Sequence, residues 1–415
     1  MSNGRDSFYY IQLEKKYGAF NYEPLPVVLD RGEGIYLFDV EGKRYFDFLS
    51  AYSAVNQGHC HPKLVRSLAE QAAKLTLTSR AFHNSMLGEY EEYVTRLLGY
   101  DRVLPMNTGV EASETSVKLC RKWGYQVKGI PENKAKILFA SGNFWGRSLG
   151  AISASTDPLS RNEFGPFVPG FEIIPFNDVK ALEKALQDPN VAGFMVEPIQ
   201  GEAGVIVPDE GYLSACKDLC GSAKALLIFD EVQTGLGRTG RLLAGDYESV
   251  KPDILVLGKA LSGGTIPVSA VLADDEVMLT LKPGEHGSTY GGNPLACAVA
   301  KRALEILTEE NMIENSFLQG NVFRDRMDRL CSKYDEIEMV RGKGLLNAVE
   351  FTVKNGKSIA KEVCKKLMDL GVLCKTTHDH TIRFAPPLII GRKEIDEVCD
   401  RIETAVEFCV DSVKK

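Results

Sequence analysis

Seven strand-length apolar runs constrain this chain more than any other feature: 102–106, 136–140, 171–175, 192–196, 225–229, 254–257 and 268–272. Between them lie segments long enough to return as helices. Runs such as Leu226-Leu227-Ile228-Phe229 and Ile254-Leu255-Val256-Leu257 show no polar alternation, as expected of strands covered on both faces. Strands that alternate with helices in this way pack as a mostly parallel, doubly wound sheet, so the expected class is α/β with one seven-stranded sheet.

After Gly284 the pattern changes. A long helical stretch from Pro294 runs past Phe323, and fewer, shorter apolar runs follow at 345–351, 372–374 and 381–384, ahead of a closing helix over 392–410. Ahead of the sheet, 1–50 holds one helix-like segment (6–17), strand-like runs at 27–29 and 35–39, and aromatics from Tyr45 to Tyr52 that read as core. The expected organisation is an N-terminal arm (1–50) that packs with the small domain, a large cofactor-binding domain (51–285) and a smaller C-terminal α/β domain (286–415).

Composition removes several function classes. With a formal charge of −7 there is no basic excess to neutralise phosphates, so nucleic acid is not expected as a partner. No apolar run approaches the roughly 18 residues of a membrane span. Met1-Ser2-Asn3-Gly4-Arg5-Asp6 has no apolar leader core, which points to a cytoplasmic protein, or a mitochondrial-matrix one whose presequence has been removed. The ten cysteines are scattered without a CxxC pair and read as reduced thiols. His59-Cys60-His61 and His378-Asp379-His380 lack the further ligands a metal needs, so no metal site is expected.

The chemistry gathers at the ends of the runs. One run delivers Lys259 into a glycine-rich turn, Gly258-Lys259-Ala260-Leu261-Ser262-Gly263-Gly264, and the run before it ends at Asp230. A lysine and an aspartate at one crevice are what pyridoxal phosphate needs: an amine to bond its aldehyde carbon and a carboxylate to keep its ring nitrogen protonated. Thr108 with Glu111 forms a capping-box pattern, and the same helix start offers free amides to a phosphate. Phe144 can stack on a ring, Arg147 can fork to a carboxylate, and Glu197 and Glu202 place two carboxylates near the mouth. Gly287-Ser288-Thr289-Tyr290 offers hydroxyls suited to phosphate.

Segments 107–111, 143–147, 197–202, 230–237, 258–264 and 287–294 together resemble those of the class III (ω-amino acid) aminotransferases of pyridoxal-phosphate fold type I. Within that family, segments 20–28, 50–59 and 381–388 are most similar to members that move the δ-amino group of L-ornithine to 2-oxoglutarate. The resemblance implies that Lys259 carries the cofactor and shuttles a proton, and that Asp230 pairs with its ring nitrogen. It implies that Phe144 and Val232 sandwich the ring, Gln233 meets its 3-hydroxyl oxygen, and Gly109 and Val110 give amides to its phosphate. Ser288 and Thr289 would come from the second subunit of a homodimer. Tyr22 and Arg147 would anchor the α-amino and α-carboxylate groups of ornithine, Tyr52 would line the pocket, and Arg383 would receive 2-oxoglutarate once Glu202 releases it. Relatives that act on N-acetylornithine or 4-aminobutyrate, and aminomutases or decarboxylases of this fold, remain as alternatives. Ser113 stands where the resemblance calls for glycine and is expected to touch no catalytic role.

Overall fold

The computed structural model of the chain describes residues 5–354 and 356–413; Met1 to Gly4, the start of the expected arm, lie outside the described residues. All seven runs are strands of one sheet: β1 (Arg102–Met106), β2 (Lys136–Ala140), β3 (Phe171–Ile174), β4 (Val191–Val196), β5 (Leu226–Asp230), β6 (Ile254–Leu257) and β7 (Ser269–Ala273). Their order across the sheet is β1-β7-β6-β5-β4-β2-β3. Only β7 runs antiparallel to its neighbours. The central strands β4 to β7 are buried along their whole length, which is why their sequences do not alternate. Pro105 fits the same logic. It sits in β1, an edge strand paired only with β7, where a missing N–H can face away from the ladder.

Beyond this sheet, Ile337–Lys343, Leu346–Phe351, Lys375–Thr377 and Thr381–Phe384 form a four-stranded antiparallel sheet. The arm contributes Leu29–Glu33, Tyr36–Asp39 and Arg44–Asp47, and Val372–Leu373 adds to that sheet in parallel beside Phe46 and Asp47. Tyr45, Phe46 and Phe48 are buried. His59 pairs with Asp47 at 2.7 Å and His61 with Glu310 at 3.2 Å.

Two local readings shift, and strands outside the expected runs appear. The strand expected at 27–29 begins at Leu29. The long helix after Pro294 is two, Pro294–Glu309 and Met312–Lys333, broken where Asn311 takes a left-handed φ of +51°, which asparagine tolerates better than most residues. Strand Ile337–Lys343 escapes a period-two reading because its register slips between Ile337 and Met339. No helix among the described residues is long and apolar enough to cross a membrane.

Candidate active site

Asp230 is the last residue of β5 and lies opposite Val256 of β6, so adjacent parallel strands carry Asp230 and Lys259 to one end of the sheet. Lys259 opens a single 3-10 turn, Lys259–Ser262, in a left-handed conformation with φ +42°. For a residue with a Cβ this costs about 1–2 kcal/mol, a strain typical of functional positions. Burial pushes the Lys259 ammonium below its usual range; Glu202 opposes that shift, Arg383 reinforces it, and Asp230 and Glu197 oppose it again. The neutral, nucleophilic amine is thereby easier to reach.

Asp230 is 4% exposed, and burial raises its carboxyl to about 6 against hydrogen bonds from the Val232 amide at 3.0 Å and the Ser113 hydroxyl at 3.3 Å. Ser113 therefore touches the proposed catalytic carboxylate, contrary to the expectation from sequence. It is fully buried on the helix Gly109–Trp123, on the face that meets the sheet. Because its donor favours the ionised form, Ser113→Ala should raise the pKa of Asp230 further. Only ionised Asp230 can hold a protonated ring nitrogen, so pyridoxal-phosphate affinity should fall as pH drops through about 6. In Ser113→Ala that midpoint should move upward. Reconstitution titrations of the two proteins isolate this effect, since the cofactor's own phosphate titrates equally in both.

The anion cradle is built from the same helix start. The Thr108 hydroxyl caps the Glu111 amide, while Glu111 Oε2 accepts from the amides of Asn107 (2.9 Å) and Thr108 (3.0 Å). Among the described residues, the amides of Gly109 and Val110 have no acceptor. Space here depends on missing side chains. A Cβ on Gly109 would sit 3.0 Å from Val232 Cγ1, and one on Gly258 3.2 Å from the same atom. Gly146, at φ +139°, would bring a Cβ to 2.4 Å from Val110 Cγ2. Beside Lys259 opens a cavity of about 350 Å³ whose wall includes Asn107, Thr108, Gly109 and Ser262. Ser288 Oγ accepts from Asn107 Nδ2 of its own chain at 2.9 Å, and Thr289 is exposed.

On the opposite side, the Phe144 amide donates to Glu197 Oε1 at 2.9 Å and the Gly201 amide to Glu197 Oε2 at 3.2 Å. Glu197 is buried, and that burial, with the charge of Asp230 next, raises it to about 8. In sequence it reads only as one more carboxylate; in the fold it ties the Phe144 loop to the turn that carries Glu202. Arg147 is exposed, its guanidinium carbon 5.8 Å from the centre of the Phe144 ring.

Arg383 comes from the antiparallel C-terminal sheet and is 2% exposed. Its Nη1 donates to Glu202 Oε1 at 2.7 Å. Burial alone would raise the Glu202 carboxyl, but Arg383 and Lys259, with hydrogen bonds from Arg383 and Gln233, hold it at about 2. Tyr52 places its ring 5.3 Å from the Arg383 guanidinium carbon. Burial raises the Tyr52 phenol, helped by Glu202 and Tyr22 and opposed by Arg383 and Arg147, so these five residues share one electrostatic neighbourhood. Tyr22 stands at its margin, 61% exposed.

The segment that presents Tyr52 is the least foreseeable part of the site. Ser50, Ala51, Tyr52 and Ser53 all have positive φ, from +47° to +71°, and make a short left-handed turn. Asp47 Oδ1 accepts from the amides of Leu49 (2.9 Å) and Ser50 (2.8 Å) and so fixes the turn's entry. At about 1–2 kcal/mol per residue the turn persists only because its surroundings over-determine it.

The family model "Aminotransferase class-III" matches residues 17–406. The chain belongs to that family. Among relatives of this class-III aminotransferase, "Ornithine aminotransferase, mitochondrial" of Rattus norvegicus is 61% identical over 401 residues, 96% of this chain and 90% of that one. A solved ornithine aminotransferase from Toxoplasma gondii, described with partial occupancy of PLP at its active site, superposes with a TM-score of 0.97 at 48% identity, covering 99% of this chain and 96% of that one. An acetylornithine aminotransferase from Elizabethkingia anophelis superposes with a TM-score of 0.89 at 54% identity, covering 97% and 99%. The cofactor of this class-III aminotransferase is pyridoxal phosphate. The residues present fit it: two unused amides at a helix start for the phosphate, a buried carboxylate for the ring nitrogen, and a buried amine within the field of that carboxylate.

Proposed function

We propose that the chain transfers the δ-amino group of L-ornithine to 2-oxoglutarate, giving glutamate 5-semialdehyde, which cyclises to pyrroline-5-carboxylate, and glutamate. The observation that carries this reading is the closed Glu202–Arg383 pair, 2.7 Å apart, in the field of Lys259. An ω-amine donor must keep its α-carboxylate away from a strong cation near the reacting carbon, whereas 2-oxoglutarate needs that cation. A guanidinium held by a removable carboxylate meets both demands.

Bound pyridoxal phosphate supplies an aldehyde carbon for the amine and a ring that accepts the electron pair left when a proton leaves the substrate carbon. Gly109 and Val110 hold the phosphate by their amides, Asp230 accepts the ring N–H, Gln233 meets the 3-oxygen, and Phe144 and Val232 confine the ring. Lys259 Nζ would take the proton from the amine-bearing carbon of the donor and deliver it to the carbon that was the cofactor's aldehyde, so that the nitrogen stays with the cofactor. Arg147 and Tyr22 receive the α-carboxylate and α-amino groups of ornithine, which leaves the δ-amine toward Lys259. In the second half-reaction Arg383 takes the α-carboxylate of 2-oxoglutarate, and Tyr52 lines the pocket.

A homodimer is part of this reading, with Ser288 and Thr289 of one chain completing the phosphate site of its partner; the exposed Thr289 and Tyr290, the latter 57% exposed, support it. No nucleic acid or membrane is involved. The ten free cysteines suit a reducing compartment, cytosol or mitochondrial matrix.

The acetylornithine relative keeps a second reading in view, and Tyr22 separates the two. An acylated α-nitrogen carries no cation for the phenol to meet. A hydrogen bond to a charged group is worth about 1.5–3 kcal/mol. Tyr22→Phe should therefore lower kcat/KM for ornithine by roughly ten- to hundredfold, with 4-aminobutyrate changed no more than about twofold. Equal losses on both amines would remove Tyr22 from α-amine recognition.

A further inference from the structure

The Glu202–Arg383 pair is one side of a triangle. Arg383 Nη1 also donates to Gln233 Oε1 at 2.9 Å and meets the Gly201 carbonyl at 3.3 Å. From its other end, Gln233 Nε2 donates to Glu202 Oε1 at 3.0 Å. Each of the three side chains thus touches both others. Gln233 is 6% exposed, and it fits there because Gly201 has no side chain: a Cβ on Gly201 would lie 2.4 Å from Gln233 Oε1 and 2.5 Å from its Cδ. Backbone conformation does not call for that glycine; the amide does.

The three groups differ in what they lose when the gate opens. Glu202 and an incoming carboxylate are both anions and compete for one guanidinium. The Gln233 amide is neutral, so its Oε1 can hold Arg383 whether Glu202 is present or gone. Its Nε2 has Glu202 as its only acceptor in the triangle, and is left with a free donor beside the place the Glu202 carboxylate vacates. Arg383 likewise has capacity to spare, since its buried Nε has no acceptor among the described residues.

We propose that Gln233 is a specificity-determining member of the gate: it holds Arg383 in position while Glu202 leaves, and it turns the amide N–H that Glu202 gives up toward the 2-oxoglutarate carboxylate. This rests on the gate reading given above and adds a part to it. Gln233 then discriminates between the two half-reactions, beyond any contact it makes with the cofactor's 3-oxygen, which both half-reactions share.

Two variants of the cofactor-loaded enzyme test it. Gln233→Glu keeps an oxygen toward Arg383 but adds a charge that cannot swing away; Gln233→Leu removes both contacts at similar volume. Calorimetry with glutarate, an unreactive dicarboxylate of the same chain length as 2-oxoglutarate, reads the gate without turnover. In Gln233→Glu, glutarate should bind at least about tenfold more weakly, and the 2-oxoglutarate half-reaction should lose at least about tenfold more kcat/KM than the ornithine half-reaction. Gln233→Leu should weaken glutarate about three- to tenfold, the loss of one hydrogen bond and of Arg383 placement. Should Gln233→Leu fail to fold, Gln233→Glu decides alone. Glutarate affinities within twofold of wild type, or equal losses in both half-reactions, would overturn the proposal. Glu202→Ala run alongside separates the two levels. If it tightens glutarate while the Gln233 variants leave it unchanged, the gate stands and the role of Gln233 falls; if Glu202→Ala changes nothing, the gate reading itself falls.

Discussion

Replacing Lys259 with alanine is expected to lower turnover with every amine by at least about 10³-fold, the scale set by losing a positioned proton-transfer group, and by more if bonding to the cofactor is also essential. The chain should still fold. Lys259 contributes no hydrophobic core, its φ of +42° is a strained conformation for either residue, and the variant removes a buried amine. Asp230 and the amides of Gly109 and Val110 are untouched, so pyridoxal phosphate should still bind non-covalently and be lost on gel filtration far faster than from wild type. Substantial turnover by Lys259→Ala would refute the assignment of the whole site. Loss of folding, seen by circular dichroism, would mean that the turn Lys259–Ser262 is a structural element first.

Glu202→Ala is the second large effect, and its sign is specific. Removing one partner of a buried pair usually costs about 3–5 kcal/mol because the other charge is stranded. Here the cost should fall below that range, since Gln233 Oε1 and the Gly201 carbonyl remain as acceptors for Arg383 and about a quarter of the Glu202 side chain is already accessible. Freed Arg383 should draw α-carboxylates to itself. Reaction at α-amines such as that of L-glutamate should rise at least about tenfold relative to the δ-amine of ornithine, equivalent to about 1.4 kcal/mol of discrimination. With the Glu202 carboxyl held at about 2, the gate stays ionised throughout the working range, so opening depends on a competing carboxylate and not on protonation. The wild-type ratio of α- to δ-amine reaction should accordingly stay flat between about pH 6 and 9. Unchanged regiochemistry in Glu202→Ala would exclude a gating role.

The sheet was readable from sequence because burial on both faces writes itself as uninterrupted apolar runs; the starts of β4 to β6 differ from the runs by no more than one residue. The helix start at Gly109 was readable because a capping box is a local pattern, Thr108 to Glu111. Contacts between distant segments were not. Ser113 and Asp230 are 117 positions apart, and nothing local marks their hydrogen bond. The available signal was a small polar residue on the buried face of that helix, beside Ala112 and Ser116. The left-handed turn at Ser50–Ser53 was hidden for a different reason: its sequence, Ser-Ala-Tyr-Ser, has no glycine to mark the positive φ values, although the Asp47 carboxylate that fixes its entry lies only two and three residues from the amides it accepts from. Gln233 was assigned one neighbour from the family resemblance, whereas the fold gives its amide two others.

The most direct measurement is a set of single half-reactions on the purified, pyridoxal-phosphate-loaded enzyme. L-ornithine, N-acetylornithine and 4-aminobutyrate are supplied one at a time, the cofactor's absorbance is followed, and pyrroline-5-carboxylate is trapped. Rapid conversion by ornithine, with the trapped product formed in equal amount and the other two amines far slower, is the expected result. Faster conversion by N-acetylornithine would contradict it, leaving the fold, the cofactor and Lys259 in place but removing the α-amine role of Tyr22.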